Sequence, residues 1–240
     1  WADVGCAVFR GTWDYMDHQE KFKAWLDHVG TQTRLVNSYE LIKWNLNKRY
    51  LLELENKGIS VVPTIFLDSG SSHTPERLFI EFETQELVIK PAISASGIDT
   101  FRIAQNEAHD FKPQFQTLLK AKTLMAQPFQ HTILTQGELS LIVIDGTFTH
   151  ACRKLPKAGE FRVQDDHGGY AIPHIASADE KAFAEKVVQA CPEQPHYARV
   201  DVVYDENDTL SVMEVELFEP ELFFRFDRAA AEKLAAAVIS

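Results

Sequence analysis

Arg199-Val200-Asp201 and Glu214-Val215-Glu216 carry the densest chemistry in the chain. Side chains alternate across a strand, so Arg199 shares a face with Asp201, and Glu214 shares a face with Glu216. The residues around them are apolar: Val200, Val202, Val203, Val212, Met213, Val215 and Leu217. If the two segments pair across the turn Asp205-Glu206-Asn207-Asp208, one face of a hairpin gathers three carboxylates and one guanidinium. Carboxylates so crowded repel one another unless a cation sits among them. An all-oxygen set with open positions suits Mg2+, which takes one or two carboxylates together with phosphate oxygens. The same pattern also suits a solvated outer face on which Arg199 is salt-bridged to an acid.

A second group of residues could hold phosphates. Val88-Ile89-Lys90-Pro91 sets a lysine at the end of an apolar strand, before the small residues Ser94, Ala95, Ser96 and Gly97. Backbone N–H groups there can wrap an anion, although such a segment is also an ordinary turn. Lys48 is read on an amphipathic helix, where a plain surface lysine is the alternative. Leu124 to Phe129 is a strand running into Pro128, and a proline interrupts pairing. Backbone groups left free near Gln127 and Phe129 could bind a purine edge. Glu138 could meet a ribose hydroxyl or be solvated. Lys154, Arg162 and Gly168-Gly169 complete the set.

Stepping outward, the elements that must position these residues alternate between helices and hairpins. Strands are expected at Val4 to Phe9, Ile59 to Phe66, Glu86 to Lys90, up to Ile103, and at Leu124 to Gln127. Leu139 to Ile144 and Phe148 to Arg153 read as a hairpin through Asp145-Gly146, and Ala198 to Tyr204 with Leu210 to Leu217 as another. Helical spacing covers His18 to Val29, a segment from Asn37-Ser38 to Gly58, Phe111 to Ala121, Asp179 to Ala190, and Ala229 to Ile239. Small residues after Lys90 predict a tight hairpin. The overall pattern is α+β.

Composition sets outer limits. The 240 residues are 45% hydrophobic and carry a formal net charge of -11. That charge does not suit a nucleic-acid backbone or an anionic membrane surface. Cys6, Cys152 and Cys191 are three widely spaced cysteines without a CxxC pair, which argues against a disulfide framework or a zinc site and for a reducing cytoplasm. No apolar run reaches membrane-span length.

Taken in order, these residues resemble the ATP-grasp superfamily, from about Trp44 to the C-terminus. The run MAQPF, GE, DG, KLP, GEFR and GG between Met125 and Gly169 is similar to prokaryotic glutathione synthetase. The tail resembles the Arg-x-Asp and Glu-x-Asn pair of D-alanine–D-alanine ligases. RGTWDY, NLNKRYLL, VVPT, QPF, GEFRVQ, RVD and MEVELFEP together look nearest the cyclo-ligases of cycloserine biosynthesis.

The resemblance implies an ATP-grasp fold of two α+β subdomains enclosing the nucleotide, preceded by the remnant of a pre-grasp α/β domain. The boundaries implied are 1–43 for the remnant and 44–240 for the grasp, with a small lid subdomain at about 60–122 and a C-terminal subdomain at 123–240. Lys48 and Lys90 would contact the ATP phosphates, Lys90 also lying near adenine. Ser94, Ser96 and Gly97 would form the phosphate loop, Gln127 and Phe129 the adenine hinge, and Glu138 the ribose contact. Asp201, Glu214 and Glu216 would bind Mg2+. Arg199 would meet the transferring phosphoryl group, Arg162 would hold a substrate carboxylate or acyl-phosphate, and Lys154 would be the third catalytic residue. Many family members have Asn where this chain has Glu216. The activity implied is an ATP- and Mg2+-dependent carboxylate–amine ligase with small-molecule substrates, and a homodimer is compatible with it. A kinase that stops at phosphorylation, or a nucleotide-binding module without turnover, are the alternatives. The loops Ala92 to Gly97 and Asp165 to Gly169 are expected to act as mobile lids.

Overall fold

The computed structural model describes residues 1–94 and 97–239, with Asp17 described by its backbone alone. Ser96, expected in the phosphate loop, lies outside the described residues. The first element is a parallel pair, β1 (Cys6–Val8) and β2 (Arg34–Val36), joined by helix α1 (Gln19–Gly30). Helix α1 buries Phe22, Leu26 and Val29, the apolar stripe that its spacing predicts. These side chains meet Phe9, Tyr15, Leu35 and Phe218, which ties the N-terminal unit to the chain beyond Glu216.

Helix α2 (Tyr39–Asn45) starts at Ser38, whose hydroxyl accepts from the Leu41 N–H at 3.1 Å. Helix α3 (Tyr50–Asn56) follows and ends before Gly58 at φ 78°, a left-handed value that glycine tolerates. Lys48 therefore lies in the turn between two short helices and not on one amphipathic helix. It is also buried, at 5% exposure, so the surface alternative does not hold.

A four-stranded antiparallel sheet has the order β3-β6-β4-β5, from β3 (Ile65–Leu67), β4 (Glu86–Pro91), β5 (Phe101–Ala104) and β6 (Leu124–Pro128). Helices α4 (Pro75–Glu81) and α5 (Ala108–Ala121) cover one face, where Leu78, Phe79, Phe111 and Phe115 pack on Leu87, Ile89 and Leu124. Each such fully buried side chain contributes roughly 1.5–3 kcal/mol. The connection from β4 to β5 runs over residues 92–100, so the tight hairpin expected there is a longer loop. Helix α6 (Thr132–Gln136) then leads out of this sheet.

The second sheet has five antiparallel strands in the order β11-β10-β7-β8-β9. They are β7 (Glu138–Ile144), β8 (Thr147–Leu155), β9 (Tyr170–His174), β10 (Tyr197–Tyr204) and β11 (Leu210–Glu216). Asp145 and Gly146 take φ 49° and 73° in the β7–β8 turn, as an Asp-Gly hairpin requires. Helix α7 (Ala178–Gln189) opens with the Ser177/Glu180 capping box and buries Ala184, Val187 and Val188 against Leu141, Val200 and Val202. Strands β7 and β10 are buried on both faces. One face meets α7; the other meets a cavity and helix α8 (Arg228–Ile239) through Leu234, Ile142 and Tyr197. The cavity lies between the two larger sheets. Among the described residues no helix is long and apolar enough to cross a membrane.

Candidate nucleotide and carboxylate site

Period-two alternation delivers the site. In the β10–β11 hairpin Arg199 stands opposite Glu216, and Asp201 opposite Glu214. On the other side of β10, Asp201 stands opposite Ser140 of β7, and Glu138 of β7 opposite Lys154 of β8. The face thus carries a chain of alternating charges. Lys154 Nζ is 2.5 Å from Glu138 and 3.1 Å from Asp201. Arg199 donates to Asp201 through Nε at 3.0 Å and Nη2 at 2.9 Å, and its Nη2 also donates to Glu216. Ser140 Oγ donates to Asp201 at 2.5 Å. Glu214 is held by Lys48 at 3.1 Å, and Lys48 Nζ also donates to the Ser94 carbonyl at 2.6 Å.

The electrostatics follow from burial first and neighbours second. Burial pushes Asp201 up, but Arg199 and Lys154 together outweigh it and hold the carboxyl well below its usual range. Burial lowers Lys154 and Arg199, but their carboxylates win and both cations stay firmly protonated. Glu138 is raised, chiefly by burial, against the opposing pull of Lys154. Glu216 differs: burial raises it to about 7, and Glu214 and Asp201 add to this against Arg199. The pull of Arg199, which also holds Asp201, does not outweigh burial. Its 23% exposure opens into the cavity, not onto the outer surface.

The opposite wall comes from the four-stranded sheet. Lys90, at the end of β4, forms no ion pair among the described residues, and burial with the nearby Lys48 lowers its pKa against the pull of Glu214. Gln127 is buried and donates its amide to Thr64 at 2.9 Å. The Phe129 N–H donates to the Glu86 carbonyl at 3.0 Å, so Pro128 does not free that group as the sequence suggested. The Phe129 ring instead lies under the Arg102 guanidinium, 3.9 Å from its centroid. Glu138 is not solvated either; its carboxylate is buried against Lys154.

Every candidate residue within the described chain lines one cavity of about 410 Å3: Lys48, Lys90, Ser94, Gly97, Gln127, Phe129, Glu138, Lys154, Arg162, Arg199, Asp201, Glu214 and Glu216. Arg162 is paired with Glu160 at 2.7 Å, which draws that carboxyl down to about 2. Gly97 (φ 67°) packs beside Arg162, His167 and Gln164, so the two loops expected as lids meet over the cavity. Sequence reasoning missed Trp13, Glu219, Glu221 and Phe223, which line it as well. Trp13 and Glu219 fall in the RGTWDY and MEVELFEP runs, which carry the resemblance without assigning these two a role; Glu221 and Phe223 lie just beyond the second run.

Whether these residues fit a divalent cation can be judged from their chemistry. Eight carboxylates and five cationic side chains line the cavity, and a polyphosphate would add more negative charge. The donor set is all oxygen and suits a hard cation. No three His, Cys, Asp or Glu groups among the described residues stand as a ready metal cage, because Asp201, Glu214 and Glu216 are each turned to a lysine or arginine.

A nucleotide-sized cavity between two α+β sheets, with lysines on one wall and an acid-rich hairpin on the other, defines an ATP-grasp protein. The chain belongs to the prokaryotic glutathione synthetase ATP-grasp domain family, which matches residues 70–223. Residues 1–37 match the N-terminal domain of the D-cycloserine synthetase DcsG. The cycloserine biosynthesis protein DcsG of Streptomyces lavendulae is 28% identical over 99% of this chain and 83% of its own length. The glutathione synthetase of Nitrosomonas europaea is 30% identical over 48% of this chain and 37% of its own. The crystal structure of D-cycloserine synthetase DcsG superposes with TM-score 0.87 at 28% identity, covering 99% and 84% of the two chains. The D-alanine-D-alanine ligase of Coxiella burnetii shares the fold, with TM-score 0.68 at 15% identity over 99% and 68%. These relations place the chain among the ATP-grasp ligases, which form C–N bonds with ATP.

Proposed function

We propose that this chain uses Mg·ATP to convert the carboxylate of a small amino-acid-like or peptide-like molecule into an acyl-phosphate, which an amine then attacks. The carrying observation is the cross-strand charge array, Arg199 opposite Glu216 and Asp201 opposite Glu214, lining one cavity with Lys90, which forms no ion pair among the described residues. A substrate carboxylate oxygen attacks the γ-phosphorus, and the bond to the bridging oxygen breaks, so ADP leaves with that electron pair. The amine then forms a bond to the acyl carbon, inorganic phosphate departs, and the amine gives up a proton. A carboxylate is a poor acyl donor until this is done, so the protein mainly positions groups and neutralises charge.

In this reading Lys48 and Lys90 hold the phosphates, and Arg199 stabilises the charge that develops on the moving phosphoryl group. Gln127 and Phe129 line the adenine end, Glu138 offers its second oxygen to the ribose, and Arg162 with Lys154 orients the carboxylate. Asp201, Glu214 and Glu216 would hold Mg2+, which when bound supplies neutralisation of the phosphate charge. The loops around Gly97 and 165–169 would close over the reaction and exclude water from the acyl-phosphate. The chain would divide into a pre-grasp remnant at 1–43 and a grasp domain at 44–240, with a small lid at about 60–122 and a C-terminal subdomain at 123–240. Three unpaired cysteines, with burial pushing Cys152 and Cys191 up to about 12, suit a reducing cytoplasm and no thiol chemistry.

The kinship with D-cycloserine synthetase supports ring closure by an amine within the same molecule; an amine on a second molecule would give a peptide-like bond. The test is ADP release with Mg2+ against a panel of carboxylates, with and without added amines. ADP that requires a carboxylate, with an amide product, supports the ligase. ADP with only a phosphorylated product, or tight ATP binding and no ADP, contradicts it.

A further inference from the structure

Among the described residues, one buried carboxylate on the cavity wall lacks the cation that its buried neighbours have. Glu138 and Asp201 are held by Lys154, Asp201 and Glu216 by Arg199, and Glu214 by Lys48. Glu219 is only 6% exposed, forms no ion pair among the described residues, and has its Oε2 buried without a hydrogen-bond partner. Burial raises its pKa, and an ionised carboxylate at this place is costly unless a cation arrives beside it.

The surroundings indicate which kind of cation. The Trp13 indole Nε1 donates to the Glu219 carbonyl at 3.0 Å, and Trp13 itself stands half-exposed on the cavity wall. Tyr15, whose hydroxyl is set against the Glu219 carboxylate, packs edge-on against Phe218 at 5.2 Å. Phe223 also lines the cavity, but the Arg199 and Arg225 guanidinium groups already lie over its ring, which leaves Trp13 as the free aromatic wall. Aromatic rings suit an organic ammonium, which they attract through their faces. A divalent metal ion instead wants several oxygens and retained water, which the Asp201 and Glu214 pair on the hairpin offers better.

We propose that Glu219 is the residue that recognises a non-reacting primary ammonium group on the carboxylate-bearing substrate, with Trp13 as the wall beside it. This rests on the ligase reading. It predicts that the enzyme discriminates between a carboxylate with a free amine and the same molecule with that amine acylated. Glu219 then sets specificity, and the residues that hold ATP set turnover.

The test uses the full chain with ATP, Mg2+ and hydroxylamine as the nucleophile. The probes are D- and L-alanine and D- and L-serine, each beside its N-acetyl counterpart. The parent should show a KM about tenfold or more lower for the free amine, the effect of one charge-assisted hydrogen bond. Glu219→Gln should raise the free-amine KM by about tenfold, leave kcat and the N-acetyl KM nearly unchanged, and keep the Mg2+ dependence of ATP binding. Equal KM values for both probes in the parent overturn the proposal while leaving the ligase reading intact. This comparison needs no variant, so it stands even if Glu219→Gln folds poorly. A Glu219→Gln effect confined to the Mg2+ requirement overturns it in favour of a metal ligand. No ADP above background with any carboxylate overturns the ligase reading, and this proposal with it.

Discussion

The two walls of the cavity solve the problem of buried charge in opposite ways. On the five-stranded sheet every acid expected at the metal is already neutralised: Lys154, Arg199 and Lys48 hold Asp201, Glu216 and Glu214. On the four-stranded sheet Lys90 stands without an ion pair among the described residues, and burial works against its charge. The first wall is a closed network, stable by itself and costly to break at one point. The second carries a charge that gains most when an anion arrives. A nucleotide and its cation must therefore exchange partners on one wall while simply adding a partner on the other.

The largest effect should come from breaking the closed network. Arg199→Ala leaves Glu216 as a buried acid without a cation and Asp201 with Lys154 alone, so we expect a loss of ~3–5 kcal/mol in denaturant unfolding. Adding Glu216→Gln to that variant should recover part of the loss, because the stranded charge is gone. Turnover in Arg199→Ala should fall on the order of 10²–10³ even where it is folded. Activity close to that of the parent would make Arg199 a structural partner only.

Lys90→Met sharpens the contrast from the other wall. Removing a charge that burial disfavours should leave stability unchanged or improve it. ATP binding by calorimetry should weaken about tenfold or more, the range for a charge-assisted contact. A destabilised Lys90→Met protein would show that Lys90 has a structural partner and that the walls do not differ.

A smaller effect is expected from Glu216, the acid that the network neutralises least. Its folded value of about 7 lies above the ordinary 4.5. The folded state therefore binds this proton more tightly than the unfolded chain does. The stabilisation is complete below about 4.5 and is lost as pH rises through about 7. Asp201 acts in the opposite sense, since its lowered pKa favours the fold until acid protonates it. Stability measured by urea between pH 5 and 8 should fall with pH in the parent, and Glu216→Gln should flatten the slope. A parent slope that Glu216→Gln leaves intact would assign it to another group.

The smallest effect concerns the loops. Gly97 has φ 67°, and a Cβ there would lie 3.2 Å from both Arg162 Cδ and His167 Nε2. Gly97→Ala should cost roughly 1–3 kcal/mol of backbone strain, read chiefly as slower turnover with Mg·ATP affinity nearly kept. Unchanged kcat would mean that the loop does not need its present conformation.

What was legible in the sequence follows the same division. The hairpin could be read because alternation in Arg199-Val200-Asp201 and Glu214-Val215-Glu216 leaves only one face for the charges, and the turn at Asp205 to Asp208 fixes the pairing. Lys48 could be assigned to the phosphates by resemblance, but not its burial. Its position depends on a turn between α2 and α3 and on a carbonyl 46 residues away at Ser94. Strand β9 was unread because Tyr170, Ile172 and Pro173 sit at an exposed sheet edge, where no core imposes a pattern. Helix α4 was missed although Thr74 caps it and Pro75 opens it. Glu219 was passed over because it follows the strand, and only Trp13, some 200 residues earlier, marks its wall.

The most direct test of the account is calorimetric titration of ATP, with and without Mg2+, into the parent and Glu214→Gln. Glu214 is a metal candidate and also the partner of Lys48 at 3.1 Å. Removing its charge should weaken Mg·ATP binding while releasing Lys48 to hold Mg2+-free ATP as well as before or better. The predicted result is that the gain in affinity from Mg2+, large in the parent, shrinks sharply in Glu214→Gln. The same Mg2+-dependent gain in both proteins would contradict the account, and the charged hairpin would then be a structural network alone.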